Sequence, residues 1–262
     1  EKDDIVPENA PTRAKLGDVW ALGPHRVMCG DSTDKDAVAK LMDGKKADMV
    51  FTDPPYSVNY AKKNKEVFKT KEYTEIKNDD LKVEVVAREL WKPVFDNLAE
   101  VSKDGASIYV TMPQGGDQMM MMMMMMDSWQ VKHELIWVKN SPVFSMGRLD
   151  YDYMHEPILY GWKKSHQFYG NGEHKKSVWH IKRDGNKSHP TMKPVELMTN
   201  ALANSSKQGD IVLDLFLGSG STLIAAEKTE RVCYGMEIDP KYVDVIIARY
   251  EQFTGNKAEK IN

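Results

Sequence analysis

The chain has 262 residues, 41% hydrophobic and 29% charged, enough for one large α/β domain or two small ones. No apolar run is long enough to span a bilayer, and a formal charge of −3 gives no global pull toward nucleic acid. Cys29 and Cys233, the two cysteines, each fall inside an apolar run, which excludes a disulfide framework and fits buried thiols in a reducing cytoplasm.

Residues 1–16 are acidic, contain proline and lack an apolar h-region, so they read as a linker or loose arm rather than a signal peptide. HRVMCGD (His25–Asp31) is a short strand ending at Gly-Asp. STDKDAVAKLMDG then offers cap residues, helical spacing of Val38, Leu41 and Met42, and a glycine stop. ADMVFTD (Ala47–Asp53) is another apolar strand, and residues 57–80 form a polar, lysine-rich insertion. VEVVARELWKPVFDNLAEVSKDG is an amphipathic helix that Pro93 is expected to kink or divide. ASIYVTMP is a strand. Met119–Met126, eight methionines in a row out of 17 in the chain, reads as a helix buried on all sides, with an interface helix as the alternative.

VKHELIWVKN is a further strand, after which periodicity fades across residues 141–190. Order returns with the helix MKPVELMTNALANSSKQGD, where Pro194 near the start is tolerated. IVLDLFLGSGSTLIAAEKT is strand, glycine turn and helix; RVCYGMEID is a strand ending in acids, and PKYVDVIIARYEQFTG a closing helix. Strands alternating with helices indicate a doubly wound, mostly parallel α/β sheet with no internal repeat.

Ligands of such sheets bind at the carboxyl ends of the strands, and three ends here carry unusual residues. In DLFLGSGST (Asp214–Thr222), Gly218 and Gly220 permit a tight turn and close approach of backbone to ligand. A plain glycine-rich turn is the alternative, and the third glycine of the dinucleotide pattern is missing. Glu237 ends the following strand, where an acid can accept hydrogen bonds from a ribose diol; Asp239 is better placed to cap the next helix.

Asp53-Pro54-Pro55-Tyr56 is the third end. Its prolines stiffen the turn and carry no N–H, Asp53 supplies acceptors, and Tyr56 supplies a flat face. Acceptors beside an aromatic plane suit the amino group of a flat base, whose nitrogen could then attack an electrophile held in line.

These motifs resemble the S-adenosylmethionine-dependent amino-methyltransferases of DNA, in the permuted β group where the catalytic tetrapeptide precedes the cofactor glycines. The resemblance runs from about Gly17 to Gly255, and includes HPTMKPVEL (His189–Leu197) between the recognition region and the cofactor half. It implies a Rossmann-like, circularly permuted methyltransferase domain over residues 17–262. Asp53, Pro54, Pro55 and Tyr56 are the implied catalytic residues. Asp31 follows from strand order as the partner of the cofactor's adenine, with helix capping as its alternative role. Asp214 is implied near the methionine amine and Phe216 beside the cofactor, with Gly218, Gly220, Ser221 and Thr222 lining the loop. Glu237 would hold the ribose, while Thr191, Lys193 and Pro194 would close over the methionine end. Lys193 either pairs with the cofactor's carboxylate or is a solvated lysine at a helix start. Leu217 departs from the glycine of many relatives, a change expected to alter packing more than chemistry. The opening segment also resembles phage enzymes and enzymes fused behind partition-type domains, so the chain is expected to belong to something longer.

A base inside a duplex must be flipped to reach such a pocket, so a positive surface for DNA is needed. The insertion at residues 57–80 offers Lys62, Lys63 and Lys69, and the recognition region at about 140–190 offers Arg148, Lys182 and Arg183, with aromatics interleaved. His166, His174, His180 and His189 lack paired ligand spacing, which argues against a metal. By the resemblance, the acid that opens the tetrapeptide implies adenine N6, with cytosine N4, where the family more often has Ser, as runner-up. RNA adenine, an NAD-dependent oxidoreductase and a non-catalytic DNA-binding module rank lower. Members of the group are often homodimers, and the methionine helix is one candidate contact.

Overall fold

The six apolar runs read as strands are all strands, and four further strands join them. The computed structural model describes residues 2–7, 10–56, 82–143, 150–170, 173–182 and 192–262. Among these, ten strands form one sheet: β1 (Val19–Leu22), β2 (His25–Cys29), β3 (Ala47–Thr52), β4 (Ser102–Thr111), β5 (Gln130–Val143), β6 (Tyr153–Trp162), β7 (Val178–His180), β8 (Ile211–Asp214), β9 (Val232–Glu237) and β10 (Glu259–Lys260). Their order is β10-β1-β2-β9-β8-β3-β4-β6-β5-β7. The central run from β2 to β4 is parallel, as expected, while β1, β6 and β10 are antiparallel additions.

Seven helices are described: α1 (Lys35–Met42), α2 (Val83–Val86), α3 (Lys92–Glu100), α4 (Gly116–Met126), α5 (Val195–Ser205), α6 (Ser221–Lys228) and α7 (Pro240–Thr254). Side chains alternate along the strands, so Met49 and Phe51 join the core shared with α5, α6 and α7, while Val50 joins the one shared with α1 to α4. None of these helices is long and apolar enough to cross a membrane.

Chain order against sheet order explains the permutation. From β8 the chain passes through α6 to β9 on one side, whereas β3 leads through α2 and α3 to β4 on the other. The paths diverge between β8 and β3, and this is the switch point at which a doubly wound sheet opens a crevice.

Three expectations need correction, and a fourth, the interruption at Pro93, is borne out in a specific form. The aperiodic stretch contains β6, which pairs with both β4 and β5, so part of the supposed recognition region is sheet. Pro157 and Gly161 hid it, yet the Pro157 carbonyl accepts the Met112 N–H at 3.0 Å, and Gly161 has no Cβ to collide with the Gln130 carbonyl. The break at Pro93 takes the form of a π turn, Ala87–Trp91, in which the Lys92 N–H reaches back to Ala87. The methionine helix buries Met121 and Met125 only; Met119, Met123 and Met126 are exposed, because one face alone meets the core. Finally, the supposed loose arm is tied down. Asp4 accepts the Val195 N–H at the start of α5 at 2.9 Å, and Asp244 accepts the N–H groups of Arg13 and Ala14 at 2.9 and 2.8 Å.

Candidate active site at the carboxyl ends of the strands

β3 delivers the Asp-Pro-Pro-Tyr turn to the crevice beside β8. The buried Thr52 hydroxyl donates to Asp214 Oδ1 at 2.9 Å and thereby ties the tetrapeptide strand to the glycine strand. Trp91 of the π turn donates its indole N–H to the Pro55 carbonyl at 3.0 Å, which gives the turn a second fixed point. Neither Thr52 nor Trp91 was singled out from sequence, although a polar residue just before the tetrapeptide was a usable signal.

Three donors converge on Asp53. The Tyr56 hydroxyl reaches Oδ1 at 2.7 Å, the Thr111 hydroxyl at the end of β4 shares that oxygen, and Lys193 Nζ reaches Oδ2 at 2.7 Å. Burial, then the charges of Asp53 and Glu156, raise the Tyr56 phenol well above its ordinary range, so the ring keeps its proton.

Lys193 is buried, which rules out the solvated lysine considered from sequence. Burial pulls its pKa down, but Asp53 and Glu156 outweigh that and hold it above the ordinary value. Glu156 is also opposed by burial, and Lys193 and Lys139 bring it below the usual carboxylate range. Glu156 carried no signal in the sequence, because β6 itself was not legible, and Lys139 on β5 had none without its partner Glu156.

The glycine turn follows β8. Gly218 has φ 54° and Gly220 φ 86°, both left-handed. A Cβ on Gly218 would meet nothing within 4 Å, so the turn stands clear of the protein at this point. Asp214, 3% exposed, accepts from Thr222 Oγ1 at 2.7 Å and from the Phe216 N–H at 3.0 Å. Burial nevertheless pushes its carboxyl up to about 6. Burial likewise pushes Glu237 up to about 7, although the N–H groups of Gly218 and Asp239 donate to it at 2.9 and 3.0 Å. Ser221 Oγ donates to the Lys193 carbonyl at 2.8 Å, and Pro194 stands at the N-cap of α5.

Asp31 lies just past β2 at the same end of the sheet. It does not cap α1; Asp34 does, accepting from Asp36 and Ala37, while Asp31 accepts from the N–H and hydroxyl of Thr33. Phe216 is half-buried against the α1–α4 core. Lys182 is exposed just past β7. Lys62, Lys63, Lys69, Arg148, Arg183 and Thr191 lie outside the described residues.

A family model described as DNA methylase matches residues 47–249. Type II methyltransferase M.HinfI of Haemophilus influenzae is 28% identical over 257 residues, 88% of this chain and 70% of that protein. DNA adenine methyltransferase YhdJ of Escherichia coli (strain K12) is 26% identical over 266 residues, 86% of this chain and 84% of its own. Among solved structures, the M1.HpyAVI–SAM complex shares the fold with a TM-score of 0.61 at 21% identity, covering 85% of this chain and 98% of that one. With the matched span running from the first residue of β3 into α7, and so across both the tetrapeptide and the glycine turn, the chain belongs to the DNA methylase family.

Proposed function

We propose that the chain transfers a methyl group from S-adenosylmethionine to the N6 amino group of adenine in DNA. The observation that carries this reading is the Thr52–Asp214 contact, which joins the end of the Asp-Pro-Pro-Tyr strand to the end of the glycine strand. The likeness to YhdJ, a DNA adenine methyltransferase, and the acid that opens the tetrapeptide both favour adenine.

The residues fit such a cofactor. The turn is open at Gly218, while Gly220 backs closely onto Ile246, and two carboxylates, Asp214 and Glu237, stand on either side of it as acceptors for an ammonium group and ribose hydroxyls. Asp31 would take the adenine amine from the next strand end. When bound, S-adenosylmethionine supplies a methyl group on a sulfonium, an electrophile that needs no further activation. Tyr56 offers its ring as the stacking face for a flipped base. A carboxylate has about four acceptor sites, and three donors already hold Asp53, so its role is to accept one N–H of the target amine in a fixed direction. With those donors in place Asp53 orients the nitrogen, and the proton that the methylated amine sheds leaves after transfer. Lys182, together with Lys62, Lys63, Lys69, Arg148 and Arg183, would face phosphates.

The test is transfer of labelled methyl from S-adenosylmethionine to unmethylated genomic DNA, with nucleosides separated by mass spectrometry. N6-methyladenine that disappears in Asp53→Ala, with cofactor binding retained, is the expected result. N4-methylcytosine would keep the mechanism and move the substrate; no product on DNA would sink the reading. A homodimer through the exposed Met119, Met123 and Met126 belongs to the same proposal; sedimentation of Met123→Lys as a monomer and of the wild type as a dimer would support it.

A further inference from the structure

Glu156 stands between two buried ammonium groups. Its Oε1 accepts from Lys139 Nζ, and its Oε2 has Lys193 Nζ at 3.3 Å. Lys139 is 4% exposed and Lys193 8%, so water does little for either cation. From Lys193 the ammonium continues to Asp53 Oδ2 at 2.7 Å. Four charges thus alternate in sign across the sheet: Lys139 on β5, Glu156 on β6, Lys193 ahead of α5, and Asp53 at the end of β3. Register accounts for the first pair. Glu156 lies opposite Trp137 on β5, and Lys139, two residues further along the same face, packs its ammonium 5.2 Å from the Trp137 ring.

A lysine ammonium sits on a flexible stem and can pivot about a single partner. Held by Asp53 alone, Lys193 would leave the carboxylate free to turn away from the Tyr56 and Thr111 hydroxyls on its other oxygen. A second anion on the far side of the ammonium removes that freedom. The groups that face it are Asp53 from β3, Glu156 from β6 and the Tyr56 ring, 5.7 Å away, with Lys139 behind Glu156. We propose that Glu156 is a positioning residue of this site: by anchoring Lys193 it fixes the orientation of the Asp53 carboxylate toward the target amine. The inference rests on the methyl-transfer reading for its kinetic consequence, and on geometry alone for the anchoring.

Glu156→Gln keeps the shape and removes the charge. The expected result is a fall in kcat of about 10- to 100-fold, with KM for DNA and cofactor changed by less than about threefold. Cofactor affinity measured by calorimetry stays near wild type. In parallel, the pH dependence of Lys193 labelling by an amine-reactive reagent, followed by peptide mass spectrometry, moves to lower pH. The double variant Lys139→Met/Glu156→Gln leaves no unpaired buried charge and carries the comparison if the single variant does not fold. Low kcat and early labelling in the double variant support the anchor. Recovery of both to wild-type behaviour would mean that Glu156 serves only to neutralise Lys139, and would overturn the proposal, as would unchanged kcat and labelling in Glu156→Gln. Absence of methyl transfer in the wild type would instead defeat the functional reading, and the labelling profile would then judge the anchor by itself.

Discussion

Leu217 packs onto Gly235: a Cβ on that glycine would stand 2.5 Å from Leu217 Cδ2. Leu217 is 4% exposed, and its side chain is accommodated by a glycine on the neighbouring strand β9. Gly235→Ala should therefore destabilise the fold by about 1–3 kcal/mol through overpacking. Combining it with Leu217→Ala should cost less than the two changes summed, and a double-mutant cycle in urea measures the coupling. Strict additivity would show that the contact carries no strain.

Asp214 titrates in the direction of a buried acid. Burial pushes it up to about 6, from an ordinary value of 3.8. Below that ordinary value the carboxyl is protonated in folded and unfolded chains alike. As the pH rises toward 6 the unfolded chain gives up its proton first, so this contribution to stability is lost across the window. The shift corresponds to about 3 kcal/mol. Asp214→Asn does not titrate, so its stability relative to wild type should rise by up to about 3 kcal/mol between pH 4 and pH 7, read from urea unfolding at each pH. A difference that stays flat with pH would show that Asp214 is ionised throughout.

In the proposed complex Asp214 faces the cofactor's ammonium group and Glu237 its ribose hydroxyls. Glu237, pushed up to about 7, and Asp214, pushed up to about 6, must be ionised to accept from them fully. Affinity for S-adenosylmethionine should therefore weaken as the pH falls from 8 to 6, by about tenfold. Calorimetric titration over that range checks this, and a pH-independent Kd would contradict it.

Trp91 acts on the tetrapeptide through the Pro55 carbonyl. Trp91→Phe removes the donor to the Pro55 carbonyl and should lower stability by about 1–3 kcal/mol. Because the turn then loses a fixed point, kcat should fall by about tenfold while the Kd for S-adenosylmethionine is unchanged. An equal loss in cofactor affinity would place the effect elsewhere.

The N-terminal segment should contribute to stability. Asp4 satisfies one of the free N–H groups of α5, so Asp4→Ala should cost about 1 kcal/mol, visible as a lower Tm. An unchanged Tm would mean that water replaces the carboxylate without loss.

Much of this architecture was written in local pattern. Alternating apolar strands and capped helices announced a doubly wound sheet, and the tetrapeptide, the glycine turn and Glu237 could each be located by eye. Local signals failed where a residue's usual meaning was overridden by its partners. Pro157 and Gly161 look like strand breakers until β4 and β5 are beside them. A run of methionines looks uniformly apolar until one face is left without a neighbour.

Residue types and their spacing were thus enough to decide the kind of chemistry this chain can support, because a rigid acid-proline turn and a glycine turn are properties of a few adjacent residues. The row of charges from Lys139 to Asp53, the Trp91 anchor and the Leu217–Gly235 contact were decided only when the chain folded. Each joins residues brought together by strand order and register, and these depend on which surfaces bury one another across the whole sheet.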